Sequence, residues 1–223
     1  MMVVMHRLWV LATSVLAAGC GRGGFDPIVD ATQVPCSERT FATPPMSSHV
    51  DRFDTGVLDD QYFHTACITQ VGGELVAAPR AGQEAADYCL VFTRTTYHLT
   101  CDSVSLQLTE SVAPELGVQT VMYIGNTDDQ VVHIVVERGG IAMEEAPAGP
   151  LDLTNGGWWR LRETGGTLHF DTAPDGIAWE QRAEIPTPFS LDDAQISLGA
   201  GTYKAVAGPG RARFRCLNTG PGC

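Results

Sequence analysis

The chain has 223 residues, of which 44% are apolar and only 18% charged, enough to bury one core. Its formal net charge is −12, with 14 Lys and Arg against 26 Asp and Glu. That balance argues against a nucleic-acid partner, because phosphate binding relies on clustered basic side chains. The short basic cluster Arg211, Arg213 and Arg215 has the every-second-residue spacing of a strand face and reads as a solvated row.

At the N-terminus, Met5-His6-Arg7 is a weakly basic start and Leu8 to Ala18 an apolar run. Eleven residues are too few to span a bilayer, which takes about 20, so residues 1–19 read as a signal peptide. Leu16-Ala17-Ala18-Gly19-Cys20 resembles the lipobox of bacterial lipoproteins, although that family more often has Leu where Ala17 stands. The resemblance implies cleavage between Gly19 and Cys20 and a diacylglyceryl group, of the palmitate class, on the Cys20 thiol. With Gly21 rather than Asp next, it also implies delivery to the outer membrane, so that the lipid is the membrane contact. Ordinary secretion by a simple signal peptidase is the competing reading. Cysteine arithmetic favours the lipoprotein: of seven cysteines, lipidating Cys20 leaves six that can pair in an oxidising compartment. Two acyl chains meet the requirement for stable attachment.

Residues 20–48 lack periodicity and are rich in Gly, Pro, Ser and Thr, the composition of a tether, with Cys36 as a staple to the domain after it. From residue 49 to 217 the pattern is strand and turn, leaving 218–223 as a tail. Tyr62-Phe63, Cys67-Ile68-Thr69, Glu74 to Ala77, Tyr88 to Phe92 and Tyr97 to Thr100 come first. Ser103 to Leu108, Val121 to Ile124 and Val131 to Val136 are next, the last two joined by the turn Asn126-Thr127-Asp128-Asp129. Ile141 to Met143, a meander from Trp158 to Trp179, Gln195 to Leu198 and Arg213 to Cys216 complete the set. Gly165-Gly166 and Pro174-Asp175-Gly176 supply the meander's turns. No long apolar run has helical period. Many short strands at such spacing predict an all-β sandwich or barrel.

Phe53-Asp54-Thr55-Gly56-Val57-Leu58-Asp59, Gly72-Gly73-Glu74-Leu75-Val76 and Trp158-Trp159-Arg160-Leu161-Arg162-Glu163, with Phe170 to Gly176 and Trp179, carry a further resemblance. They look like the jelly-roll domains of the concanavalin A-like lectin/glucanase superfamily. The resemblance covers roughly residues 50–217 and implies two antiparallel sheets packed face to face. That superfamily hosts lectins, glycosidases and adhesion modules, so fold does not choose among them.

Glucanases of this superfamily carry Glu-x-Asp-x-x-Glu on one strand, and that motif is absent. Glu144-Glu145 and Glu180/Glu184 lack its spacing. The expectation is therefore a non-catalytic domain that binds carbohydrate or mediates adhesion, ahead of a structural or partner-binding envelope subunit and of a glycoside hydrolase. No metal-ligand spacing is found. Asp171-x-x-x-Asp175-Gly176 fails the EF-hand template, with Arg182 at its twelfth position, and reads as a turn. A calcium ion held by scattered loop oxygens would leave no signature, so no cofactor is assigned.

If Trp159, Leu161, Leu168, Phe170, Val132, Ile134 and Val136 point inward, then Trp158, Arg160, Arg162, His169, Asp171 and His133 point outward. An indole beside polar groups can stack a sugar ring and bond its hydroxyls, which makes these six the candidate ligand site. Against it stands a second reading, in which Trp158 packs under a loop and the arginines pair with Asp171 or Glu163. Trp179 reads as core; His49, His64 and His98 receive no role. Cys67 and Cys89 fall on strands expected to be neighbours and are paired; Cys36, Cys101, Cys216 and Cys223 share two further bridges of open connectivity.

Overall fold

The computed structural model describes residues 35–223 apart from residue 59; Cys20 and the leader lie outside the described residues. Fourteen strands run in chain order: β1 Tyr62–His64, β2 Ile68–Val71, β3 Glu74–Ala77, β4 Asp87–Thr93, β5 Ser103–Glu110, β6 Val118–Asn126 and β7 Val131–Glu137. Then come β8 Gly140–Met143, β9 Ala146–Pro150, β10 Trp158–Thr164, β11 Thr167–Ala173, β12 Glu180–Pro186, β13 Ala194–Thr202 and β14 Ala212–Arg215. They form two seven-stranded sheets. Sheet A has the order β1-β4-β13-β6-β7-β8-β9, and sheet B the order β12-β11-β10-β5-β14-β3-β2. All ladders are antiparallel, and this is the jelly-roll sandwich expected from the strand pattern.

Alternation builds the core. Val104, Leu106 and Leu108 of β5, Val132, Ile134 and Val136 of β7, Trp159 and Leu161 of β10, and Leu168 and Phe170 of β11 all face inward and are buried. Each such side chain contributes about 1.5–3 kcal/mol of transfer free energy. Trp159 meets Phe170 edge-on, with ring centroids 5.6 Å apart, near the preferred aromatic geometry. The β10–β11 turn uses Gly165 and Gly166 at φ 60° and 76°, as a two-residue hairpin requires.

Three local expectations need correction. Tyr97 to Thr100 makes only isolated bridges, Tyr97 to Ala194 and His98 to Pro45, and both Leu99 and Thr100 donate to Leu191 O instead of to a ladder. Strand β9 gave no sequence signal because Pro147 and Pro150 cannot donate; it is tolerated at the edge of sheet A. The stretch read as tether is docked well before residue 49. Met46 is fully buried in the core, Pro45 bridges to His98, and Phe41 stacks on the His98 ring at 3.9 Å. Asn218 holds this segment down, its amide donating to Met46 O and His49 O at 2.9 Å each. An apolar methionine and a run of backbone acceptors do this; composition hid it.

The six described cysteines form three disulfides: Cys36–Cys101, Cys67–Cys89 and Cys216–Cys223. The second is the expected pairing, but not between neighbouring strands: Cys67 precedes β2 of sheet B and Cys89 lies on β4 of sheet A, so the bridge ties the two sheets together.

Candidate functional site

Five of the six sequence-nominated site residues do meet, on the outer face of sheet B. There they are occupied with one another. Arg160 Nη2 and Nε and Arg162 Nε all donate to Asp171 Oδ2, at 2.8, 2.9 and 2.9 Å. The Asp171 side chain is only 2% exposed. Arg162 also donates to Gln181, which bonds the His169 ring at 3.0 Å, and Glu184 stands 3.4 Å from that ring. Trp158 is 4% exposed, packed with Ala173, Trp179 and the Cys216–Cys223 bridge. A Cβ at Gly176 would lie 2.9 Å from Trp158 Cδ2, so the β11–β12 loop rests on the indole. Trp158 therefore offers no face to a sugar, and the loop-covered reading is the correct one. Trp179 belongs to this satellite cluster rather than to the main core, with Arg160 Cζ 4.4 Å over its ring. Asp175 accepts from Ile177 N and Ala178 N, which makes its loop a self-capped turn.

The ladder continues across sheet B. Arg213 pairs with Glu74 and Glu110, both at 2.7 Å, Arg211 with Glu110, and Arg215 donates to Gln107 at 2.6 Å. Burial would raise the Glu74 pKa. Hydrogen bonds from Thr109 and Arg213, with the charges of Arg213 and Arg215, instead hold it below the usual range.

His133 does not join them. It lies on β7 in sheet A, on the far side of the core, where its ring meets Glu144 at 3.2 Å. Its neighbours there define a different surface. One row across the outer face of sheet A aligns Tyr88, Gly201 and Gln119, and Glu137 follows on β7 beside Gln119. A second row holds Leu90, Gly199, Val121, Val135 and Ala142. A third holds Phe63, Phe92, Ser197, Tyr123 and His133. Successive rows are about 6.8 Å apart, two residues along a strand.

The glycines of β13 decide how the first row is built. A Cβ on Gly201 would fall 2.2 Å from Tyr88 Cδ1, so the Tyr88 ring lies across that strand. Its hydroxyl thereby reaches Gln119 Oε1 at 2.8 Å. Glu137 accepts from Gln119 Nε2 at 3.3 Å, from Gly117 N at 2.9 Å and from the Tyr203 hydroxyl. Burial pushes the Glu137 pKa up, but these bonds and the charge of Arg138 outweigh it and leave the carboxyl below its ordinary value. Burial, then the Glu137 charge, lifts Tyr88 to about 12. In the first row the Tyr88 and Tyr203 protons are thus committed to Gln119 and to the ionised Glu137.

The third row is aromatic and open. Phe63 and Phe92 are 39% and 37% exposed, with ring centroids 5.4 Å apart. Burial raises the Tyr123 pKa. The Ser197 hydroxyl between Phe92 and Tyr123 is buried with no hydrogen-bond partner among the described residues. Such a face can stack a ring against Phe63 or Phe92. Among the described residues, no group of three or more His, Cys, Asp or Glu is placed to hold a metal ion.

No protein-family model matches the chain, and no curated protein matches it in sequence. Solved structures do match in shape. A non-specific endo-β-1,3(4)-glucanase, SCLam, of glycoside hydrolase family 16 superimposes with TM-score 0.54 at 10% identity, over 76% of this chain and 89% of its own. The β-glucanase of Bacillus licheniformis gives TM-score 0.54 at 7% identity, over 76% and 95%. A Crh5 transglycosylase in complex with NAG gives 0.57 at 9%, over 80% and 85%. The fold is therefore the concanavalin A-like jelly roll. Its neighbours also correct the expectation of a non-catalytic domain: they are named as glycan-cleaving and glycan-transferring enzymes. The lack of one glucanase motif does not carry that exclusion.

Proposed function

We propose that the protein is a carbohydrate-active lipoprotein of the outer membrane, held there through Cys20, and that the outer face of sheet A takes a polysaccharide chain. The observation that carries the second part is the contrast between the two faces. Charged side chains on sheet B pair with one another, whereas sheet A leaves Phe63 and Phe92 exposed in one row and Tyr203 exposed beside Glu137 two rows away. Aromatic faces next to fixed donors and acceptors suit sugar rings, which are apolar on their faces and hydroxylated at their edges. The glucanases and the NAG-bound transglycosylase of like fold are in keeping with that ligand class. Glu137 is the charged acceptor at one side of that face.

The test uses residues 21–223, which keep Cys36 and Met46, with a panel of envelope and extracellular polysaccharides, scored for retention and for new reducing ends. Phe92→Ala should weaken binding roughly tenfold or more at an unchanged melting temperature. If no polysaccharide is retained, the glycan reading fails, and a partner pulled down from membranes would then identify an envelope subunit. Anchoring is read separately by labelling cells with an alkyne fatty acid: the label should be lost in Cys20→Ala, and its persistence would refute the lipid.

A further inference from the structure

We propose that the polysaccharide is acidic and that Arg94 reads its charge: a uronate carboxylate or a sulfate ester sits on the Arg94 guanidinium while the sugar ring lies against Phe92. This rests on the outer face of sheet A being the glycan site. Arg94 follows β4, two residues beyond Phe92, and so stands on the same outward face. Its backbone N–H donates to Gln61 O at 2.8 Å and its Nε to Tyr62 O at 3.0 Å. The flat face of the guanidinium lies on Phe63, with Cζ 3.7 Å from the ring centroid. One side-chain bond and one stacking contact therefore fix the group's plane on an exposed residue. No carboxylate of the described residues pairs with it, and its terminal nitrogens have no protein acceptor among them.

Among the described residues, Arg52, Arg138, Arg182 and Arg215 also form no ion pair, so what sets Arg94 apart is its fixed, stacked plane rather than the lack of a carboxylate. Arg80, Arg160, Arg162, Arg211 and Arg213 each hold an Asp or Glu. Arg94 is instead a planar fork already oriented beside an exposed phenyl ring. Such a fork matches two oxygens of a carboxylate or sulfate, and its stacking means little freedom is lost on binding. The net charge of −12 opposes an acidic polymer at long range. Salt confines that repulsion to about 8 Å under physiological conditions. Glu137, six residues along the strand direction and three strands across from Arg94, is roughly 25 Å away.

The experiment titrates full-length protein in detergent, at fixed salt, with polygalacturonate, dextran sulfate and neutral laminarin. Wild type should bind one acidic polymer at least about tenfold more tightly than laminarin. Arg94→Gln should remove roughly tenfold to a hundredfold of that affinity while laminarin binding and the melting temperature hold. Arg94→Lys, which keeps the charge but not the fork, should recover little and guards against a misfolded glutamine variant. Preference for polygalacturonate identifies a carboxylate, and preference for dextran sulfate a sulfate ester. Laminarin binding equal to that of both acidic polymers, or acidic affinity indifferent to Arg94, overturns this proposal and leaves the glycan face standing. Binding to none of the three overturns both.

Discussion

His49 is 4% exposed, yet it carries a phenol on each ring nitrogen: Tyr62 at Nε2 and Tyr97 at Nδ1, both at 3.0 Å. The single Tyr62 proton goes to Asp51 Oδ2 at 2.8 Å. The Tyr62 oxygen must then accept from Nε2–H, which leaves Nδ1 as acceptor for the Tyr97 hydroxyl. One histidine thus joins the N-terminal segment to β1 and to the stretch before β5. His49→Phe removes both bonds while keeping the bulk, and should cost about 2 kcal/mol in urea unfolding. Glycan binding should be unaffected, because the chain lies on the core side of sheet A. An unchanged midpoint would mean that these bonds add nothing to the fold.

At the scale of strands, alternation told inside from outside with good fidelity. The inward residues named from β7, β10 and β11 are all in the core. Alternation does not say which sheet a strand joins, and that is why His133 was grouped with residues across the sandwich. Nor does it say what covers an outward residue: Trp158 is capped by Gly176 and by a disulfide formed 58 to 65 positions downstream. The sheet A face stayed hidden for a related reason. Its rows depend on the register of β4 against β13 and of β13 against β6, strands remote in sequence. The one local clue was Tyr88-x-Leu90-x-Phe92, three large outward residues on a single strand.

For the molecule as a whole, acid is the condition that tests its electrostatics. Glu74 and Glu137, whose ordinary value is 4.5, and Asp87, at 3.8 and held by Arg80, all sit below those values in the fold. A depressed carboxyl lends its full stability above the unfolded value and loses it as pH falls through the folded one. The urea midpoint should therefore be flat from about pH 7 to 5 and decline between about 4.5 and 3. Glu74→Gln should flatten that decline; a wild-type midpoint constant down to pH 3 would contradict the linkage.

The bridge from Cys36 to Cys101 spans 65 positions and encloses β1 to β4. Any tension on the chain upstream of Cys36 crosses that bond directly into the residues just before β5, at an inner strand of sheet B. The strands between the two cysteines carry none of the load. A pull from the N-terminal side cannot peel them away in sequence, as it would if the same segment were fastened only by hydrogen bonds. Under the proposed anchoring through Cys20, load would enter the fold at the middle of a sheet, although by chain order the anchor is at an end.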